Sequence, residues 1–195
     1  MDAIQQLDSD TAREIAAFAF ELGVLKRETR KGWIDACVPS PESVADHTCR
    51  TAQLAALIAA YEGGDPARAA HLAVWHDSQE TRLRDLNQVA KPFLGKPDHQ
   101  AVTATQTSAL PQILATLLRD TVAEFEAQAT TEAVCARDAD RLECLIQALE
   151  YQAAGNTLMS EWITSSKDRL KTTTAHRIAE AAMTTSVLKW RTTMG

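Results

Sequence analysis

Along most of the chain apolar residues return every three to four positions, the period of an amphipathic helix. In "SVADHTCRTAQLAALIA", residues 43–59, Val44, His47, Thr51, Leu54 and Ile58 fall on one face, so a titratable ring stands inside a core-like stripe. Ser43 is placed to cap that helix and Gly63–Gly64 to end it. Asp65 followed by Pro66 predicts the next start, with one helix running through "PARAAHLAVWHDSQETR". Upstream, "TAREIAAFAFELGVLK" predicts a helix capped by Ser9 or Asp10, with Ile15, Phe18 and Leu22 on a shared face. "RETRKGWIDACVPSPES" breaks the period with Gly32, Pro39 and Pro41 and reads as an ordered loop. After residue 82, "LRDLNQVAKPFLGKPDHQ" has no clear period.

The second half repeats the helical pattern. "QAVTATQTSALPQILATLLRDTVAEFEAQ" predicts a long helical region broken near Pro111. Thr130 or Thr131 can cap "EAVCARDADRLECLIQALEYQAA", which ends at Gly155–Asn156. Two further helical stretches follow, "TLMSEWITSSKDRLKT" and "TAHRIAEAAMTTSVLKWR". No segment alternates as a half-buried strand does. The pattern predicts an all-α fold, one compact bundle of six to eight helices spanning residues 1–195.

Composition sharpens this only in part. The 195 residues are 45% hydrophobic and only 5% aromatic, a balance that suits helices and a core needing no staples. A formal net charge of −6 supplies no basic footprint for duplex nucleic acid, although a small anionic ligand can still meet local positive charge. Cys37, Cys49, Cys135 and Cys144 form no C-x-x-C pair and read as reduced thiols. The acidic start has no signal-peptide pattern and no window approaches a transmembrane run, so the expectation is a cytoplasmic protein without a membrane partner.

The chemistry concentrates in three places. His47 stands on the apolar stripe, "WHDSQE" supplies His76, Asp77 and Glu80, and "RDADRLECLIQALEY" supplies Asp138 and Asp140. Taken singly each has an ordinary structural explanation: a satisfied core histidine, a chance dipeptide, an aspartate paired with Arg137 or Arg141. Together, two imidazoles and two carboxylates make a mixed nitrogen and oxygen donor set. Such a set suits one divalent ion of the Mn, Fe, Co, Ni or Zn type and leaves positions open for water and substrate. Asp138 and Asp140 lie about 200° apart around a helix, so only one of them can face the ion.

The order H…HD…D on successive helices resembles the HD-domain metal-dependent phosphohydrolases. "KGWIDACVPSPESVADHTCRTAQLAALIA", "AVWHDSQETRLRDL" and "DADRLECLIQALEYQAAGN" look like the small single-domain branch that includes 5′-deoxynucleotidases, over roughly residues 20–170. The resemblance implies that His47, His76, Asp77 and Asp140 hold the metal. It implies Glu80 as the catalytic carboxylate and Asp85 as a second acidic group near the leaving or sugar oxygen. It also implies that Trp33, with Arg30 or Lys31, clamps the nucleotide by stacking and by charge. Lys91 and Arg84 are candidates for further positive charge near the phosphate.

Two positions depart from the family pattern: Arg84 replaces a glycine and Asn87 a proline, which leaves deoxynucleotide, ribonucleotide, triphosphate and modified-nucleotide substrates open. A two-metal site would need extra histidines, and only His99 lies in the relevant interval. A non-catalytic nucleotide-binding helical module is the alternative of a different class. The apolar C-terminal stretch and the resemblance point to a homodimer.

Overall fold

A computed structural model describes residues 7–87, 89–95 and 97–193. Among these, the helices in chain order are α1 (Ser9–Leu22), α2 (Lys31–Asp35), α3 (Val44–Glu62), α4 (Pro66–Trp75), α5 (Glu80–Leu83), α6 (Lys91–Leu94), α7 (His99–Gln106), α8 (Gln112–Ala127), α9 (Thr131–Ala153), α10 (Ser160–Asp168) and α11 (Thr173–Thr184). The all-α class is as expected; eleven α-helices among the described residues stand where six to eight were expected, the surplus being the short α2, α5 and α6 of four or five residues. The β pairing among the described residues is a single antiparallel bridge between Thr29 and Ser43.

Local chemistry explains the helix ends. Ser43 and Asp46 form a reciprocal capping box at the start of α3, and Gly63 ends that helix with φ 77°, a conformation that glycine adopts without the Cβ clash. Asp65 caps α4 and Thr130 caps α9, each accepting backbone N–H groups that have no partner inside the helix. The first cap is Asp8, one residue before the two candidates. Its carboxylate reaches the amides of Asp10 and Thr11, and the helix therefore starts at Ser9.

Helix α9 is the hub. It packs against α3, α4, α10 and α11, and α3 also lies along α4. Ile58, Leu72, Phe125, Leu142, Leu145 and Met159 fill the space between these helices and are almost wholly buried. At about 25 cal/mol per Å² of apolar surface removed from water, this contact area is the main source of the bundle's stability.

Three local expectations change. The segment from Arg27 to Ser43 carries the short helix α2 and closes on itself through backbone bonds: Arg30 N–H donates to Glu42 O at 3.2 Å and Val44 N–H to Glu28 O at 2.8 Å. The single helix expected from Pro66 to Arg82 is broken. Residues 76–79 form a turn between α4 and α5. Here side chains take the carbonyls that a continuing helix would use: His76 Nδ1 lies 2.7 Å from Ala73 O, and Ser78 Oγ donates to Trp75 O at 2.8 Å. The C-terminal stretch ends its α-helix at Thr184, and a short 3₁₀ turn, Lys189–Thr193, follows. No helix among the described residues is long and apolar enough to cross a membrane, and the four cysteines are free thiols.

Candidate active site

Three elements bring the predicted donors together. His47 projects from the first turn of α3, His76 and Asp77 from the turn after α4, and Asp140 from the middle of α9. His47 Nε2 lies 3.3 Å from Asp140 Oδ1 and 3.7 Å from Asp77 Oδ2. His76 Nε2 lies 3.0 Å from Asp77 Oδ2 and 3.8 Å from Asp140 Oδ1. Each imidazole Nε2 thus lies within 3.8 Å of a carboxylate oxygen of both Asp77 and Asp140, and His47, His76 and Asp77 are mutually close enough to share one ion.

Their hydrogen bonding supports a cation there. His76 donates its Nδ1–H to Ala73 O, which leaves Nε2 as a lone pair. His76 Nε2 and Asp77 Oδ2 are buried and have no hydrogen-bond partner. Buried acceptors left in this way are costly unless something positive sits between them. Two imidazoles and two carboxylates around one point fit a borderline divalent ion.

The electrostatics are strongly coupled. Burial and the Arg30 charge oppose protonation of His47, but Glu143 and Asp140 outweigh them and hold the imidazole above its ordinary range. Burial works against charge on Asp77 and Asp140. The two histidines nevertheless hold both carboxyls well below the usual range. Glu80 goes the other way: burial first, then the Asp77 and Asp85 charges, push its carboxyl up, and its Oε2 is buried without a partner. Behind His47, burial and then Glu143 push Glu42 up to about 7.

A pocket of about 950 Å³ opens onto this centre, lined by His76, Asp77, Glu80, Asp140, Asp85 and Arg30 among others. That volume is at the upper end of small-molecule sites. Arg30 lies 3.6 Å from Asp77 Oδ2. Asp85 also faces the pocket, its carboxylate held by the backbone amide of Lys31. Arg84 stands at the rim, its side chain 58% exposed and its guanidinium 3.2 Å from Glu28.

Two of the expected substrate contacts are corrected. Trp33 is 1% exposed, donates Nε1–H to Glu42 at 2.9 Å and packs edge-on to Tyr151, so its face is not open to a base; it plugs the core beneath the loop. Lys31 turns its ammonium to Glu28 at 3.0 Å, so of the Arg30 and Lys31 pair it is Arg30 that reaches the site. Lys91 opens α6, and its side chain lies outside the described residues.

Asp138 and Asp140 separate cleanly. Asp138 is fully buried and accepts the amides of Lys171 and Thr172 at 2.8 and 2.6 Å through one oxygen, while Asp140 points into the pocket.

The sequence profile described as HD domain matches residues 22–182. The chain belongs to the HD-domain family. The 5′-deoxynucleotidase HDDC2 of Xenopus laevis is 34% identical over 147 residues, 74% of this chain and 72% of the relative. The human protein of the same name is 32% identical over 72% and 70%, and 5′-deoxynucleotidase hdd1 of Schizosaccharomyces pombe is 28% identical over 73% and 74%. Among solved structures, a conserved hypothetical protein from Pyrococcus furiosus superposes with a TM-score of 0.71 at 30% identity, covering 87% of this chain and 99% of that one.

Around the HD centre the structure adds residues that motif reading missed. Glu143, Arg50 and Glu42 lie behind His47, and Arg137 sits 3.6 Å from Asp140 Oδ2 and over the Phe125 ring. A signal for the first two was present. Asp140, Glu143, Gln147 and Glu150 form a polar stripe along α9, and His47 and Arg50 stand three apart on α3.

Proposed function

We propose that this HD-domain protein is a metal-dependent phosphohydrolase that converts (deoxy)nucleoside 5′-monophosphates to nucleoside and phosphate. The observation that carries the reading is that His47 and His76 both face Asp77 and Asp140 within 3.8 Å, with Glu80, whose Oε2 has no hydrogen-bond partner, in the same pocket. The similarity to 5′-deoxynucleotidases supports the substrate class. The four residues would hold one divalent ion of the Mn, Co, Fe, Ni or Zn type. Such an ion polarises a phosphoryl oxygen and makes a nearby water easier to deprotonate.

The chain's own groups then have distinct tasks. Glu80, raised in pKa by its surroundings, takes the proton of the attacking water. Arg30 offsets negative charge next to Asp77. Asp85, fixed by the Lys31 amide, holds the sugar or leaving oxygen in the same pocket. Arg84 and Lys91 supply positive charge for the phosphate. Residues 1–195 form one HD domain with its core over roughly 20–170. The reading includes a cytoplasmic location, inferred from the sequence, and a homodimer, which the exposed Val187 and Leu188 at the C-terminal end support.

One observation favours a second reading. Arg84 places a guanidinium at the rim of a pocket as large as about 950 Å³, which suits a nucleotide with a longer phosphate chain or a modified base. Phosphate release from mono-, di- and triphosphate nucleotides with Mn²⁺, Co²⁺ and Mg²⁺, each with and without chelator, separates the two. Glu80→Gln should keep the metal and lose roughly 10²–10⁴-fold in turnover. Unchanged turnover would remove Glu80 from the reaction, and nucleotide binding without turnover under any ion would favour a non-catalytic module.

A further inference from the structure

Behind the metal-facing side of His47 lies a charge arrangement, buried at Glu143 and open to solvent at Arg50 and Glu150, that the proposed chemistry does not use. Glu143 is 0% exposed and sits on α9, one turn after Asp140. Its two oxygens have separate partners. Oε2 lies 2.5 Å from His47 Nδ1. Oε1 accepts from Arg50 Nε at 3.0 Å and Arg50 Nη2 at 2.8 Å. Arg50 is itself held: Nη1 reaches both oxygens of Glu150 at 2.9 Å, and Nη2 donates to Gln147 Oε1 at 2.6 Å. The guanidinium therefore locks one oxygen of Glu143 and leaves the other to the imidazole.

We infer that Glu143, clamped by Arg50, is a positioning residue for the metal centre: it accepts the Nδ1 proton of His47 and thereby presents Nε2 as a lone pair to the ion. The inference rests on the metal-site reading above. Three features support it. A 180° flip of the ring would turn a C–H toward the carboxylate and forfeit the 2.5 Å contact. The opposite neutral tautomer would set a lone pair against Oε2 and aim an N–H at Asp140 and Asp77, where the ion belongs. Finally, His76 is fixed in the same sense by a different acceptor, Ala73 O, so both imidazoles offer Nε2. Partners that orient ligating histidines in this way are typically worth about 10–100-fold in metal affinity.

The test begins with metal-free protein titrated with Mn²⁺, free ion being read by electron paramagnetic resonance. Glu143→Gln preserves size but can present an amide N–H to Nδ1 and select the wrong tautomer. It should weaken Mn²⁺ binding by about 10–100-fold. Glu143→Asp keeps the charge at shorter reach and should recover part of that loss. Equal affinity in wild type and both variants would overturn the inference. Failure of the wild type to bind any divalent ion would instead overturn the metal reading itself. If neither variant folds, the wild type still decides: in Zn²⁺-loaded protein, ¹⁵N correlation spectra should show His47 protonated at Nδ1. Protonation at Nε2, or metal at Nδ1, would refute the assignment.

Discussion

Asp138 and Asp140 are two residues apart on one helix, and the structure gives them opposite work. Asp138 uses a single oxygen, Oδ2, to accept the amides of Lys171 and Thr172, just where α11 begins. Its other oxygen lies 3.4 Å from Arg141. Asp138→Ala leaves two amides without their acceptor at a helix start, one buried at Thr172 and one part-buried at Lys171. At roughly 1–3 kcal/mol per stranded donor, the loss should be about 2–4 kcal/mol once some water enters. For a chain of this size each kcal/mol moves Tm by about 2–4 °C, so the midpoint should fall by about 4–16 °C. Asp138→Asn is the internal control. An amide oxygen placed at the Oδ2 position keeps both backbone contacts, and only the approach to Arg141 suffers, so it should cost about 1 kcal/mol. Calorimetry of the metal-free protein, paired with Mn²⁺ titration, reads both quantities. Asp138→Ala should lower Tm and spare metal affinity at temperatures where it stays folded, while Asp140→Ala should abolish metal retention. The reasoning is refuted if Asp138→Ala melts with the wild type, or if it loses metal while Asp140→Ala keeps it.

Two more outcomes follow from the same geometry. Arg84 has φ 67° and ψ 162°, a region essentially reserved for glycine, at a strain of about 1–3 kcal/mol; Arg84→Gly should therefore raise Tm or leave it level despite losing the contact to the buried Glu28, which keeps Lys31 as a partner, and a clear fall in Tm would show that the strain does not outweigh that contact. Glu126 is held down at about 2 by the neighbouring His99, 3.5 Å away, and by the Arg137 charge, against burial. Because its folded value lies below the ordinary 4.5, its contribution is present above about pH 4.5 and drains away as pH falls toward 2. Glu126→Gln should flatten that part of the acid-stability curve, and parallel melting curves for variant and wild type between pH 5 and 3 would contradict this.

Much of the architecture was legible because its causes are local. Ser43, Asp65 and Thr130 cap helices from their own sequence neighbourhoods, Gly63 stops one, and the apolar period of α3 and α9 marks the faces that meet. The break after Trp75 was not legible. It depends on His76 and Ser78 taking carbonyls from the preceding turn, and helical periodicity runs straight through that stretch. Trp33 misled for a related reason: a loop tryptophan beside arginine and lysine looks like a stacking platform, and only the packing of Tyr151 and the acceptor on Glu42 show that the ring is used up in the core.

The amino-acid order by itself determined an all-helical chain, since periodicity and capping are written in residues a few positions apart, and its H…HD…D order nominated the candidate donors. Tertiary structure decided which of two neighbouring aspartates faces the pocket, which cation of the Arg30 and Lys31 pair reaches it, and what stands behind His47. The physical reason is that those outcomes depend on the rotation of α9 against α3 and on loop closure around Glu28 and Glu42. Only the folded chain sets those relations, between groups as far apart in sequence as His47 and Glu143.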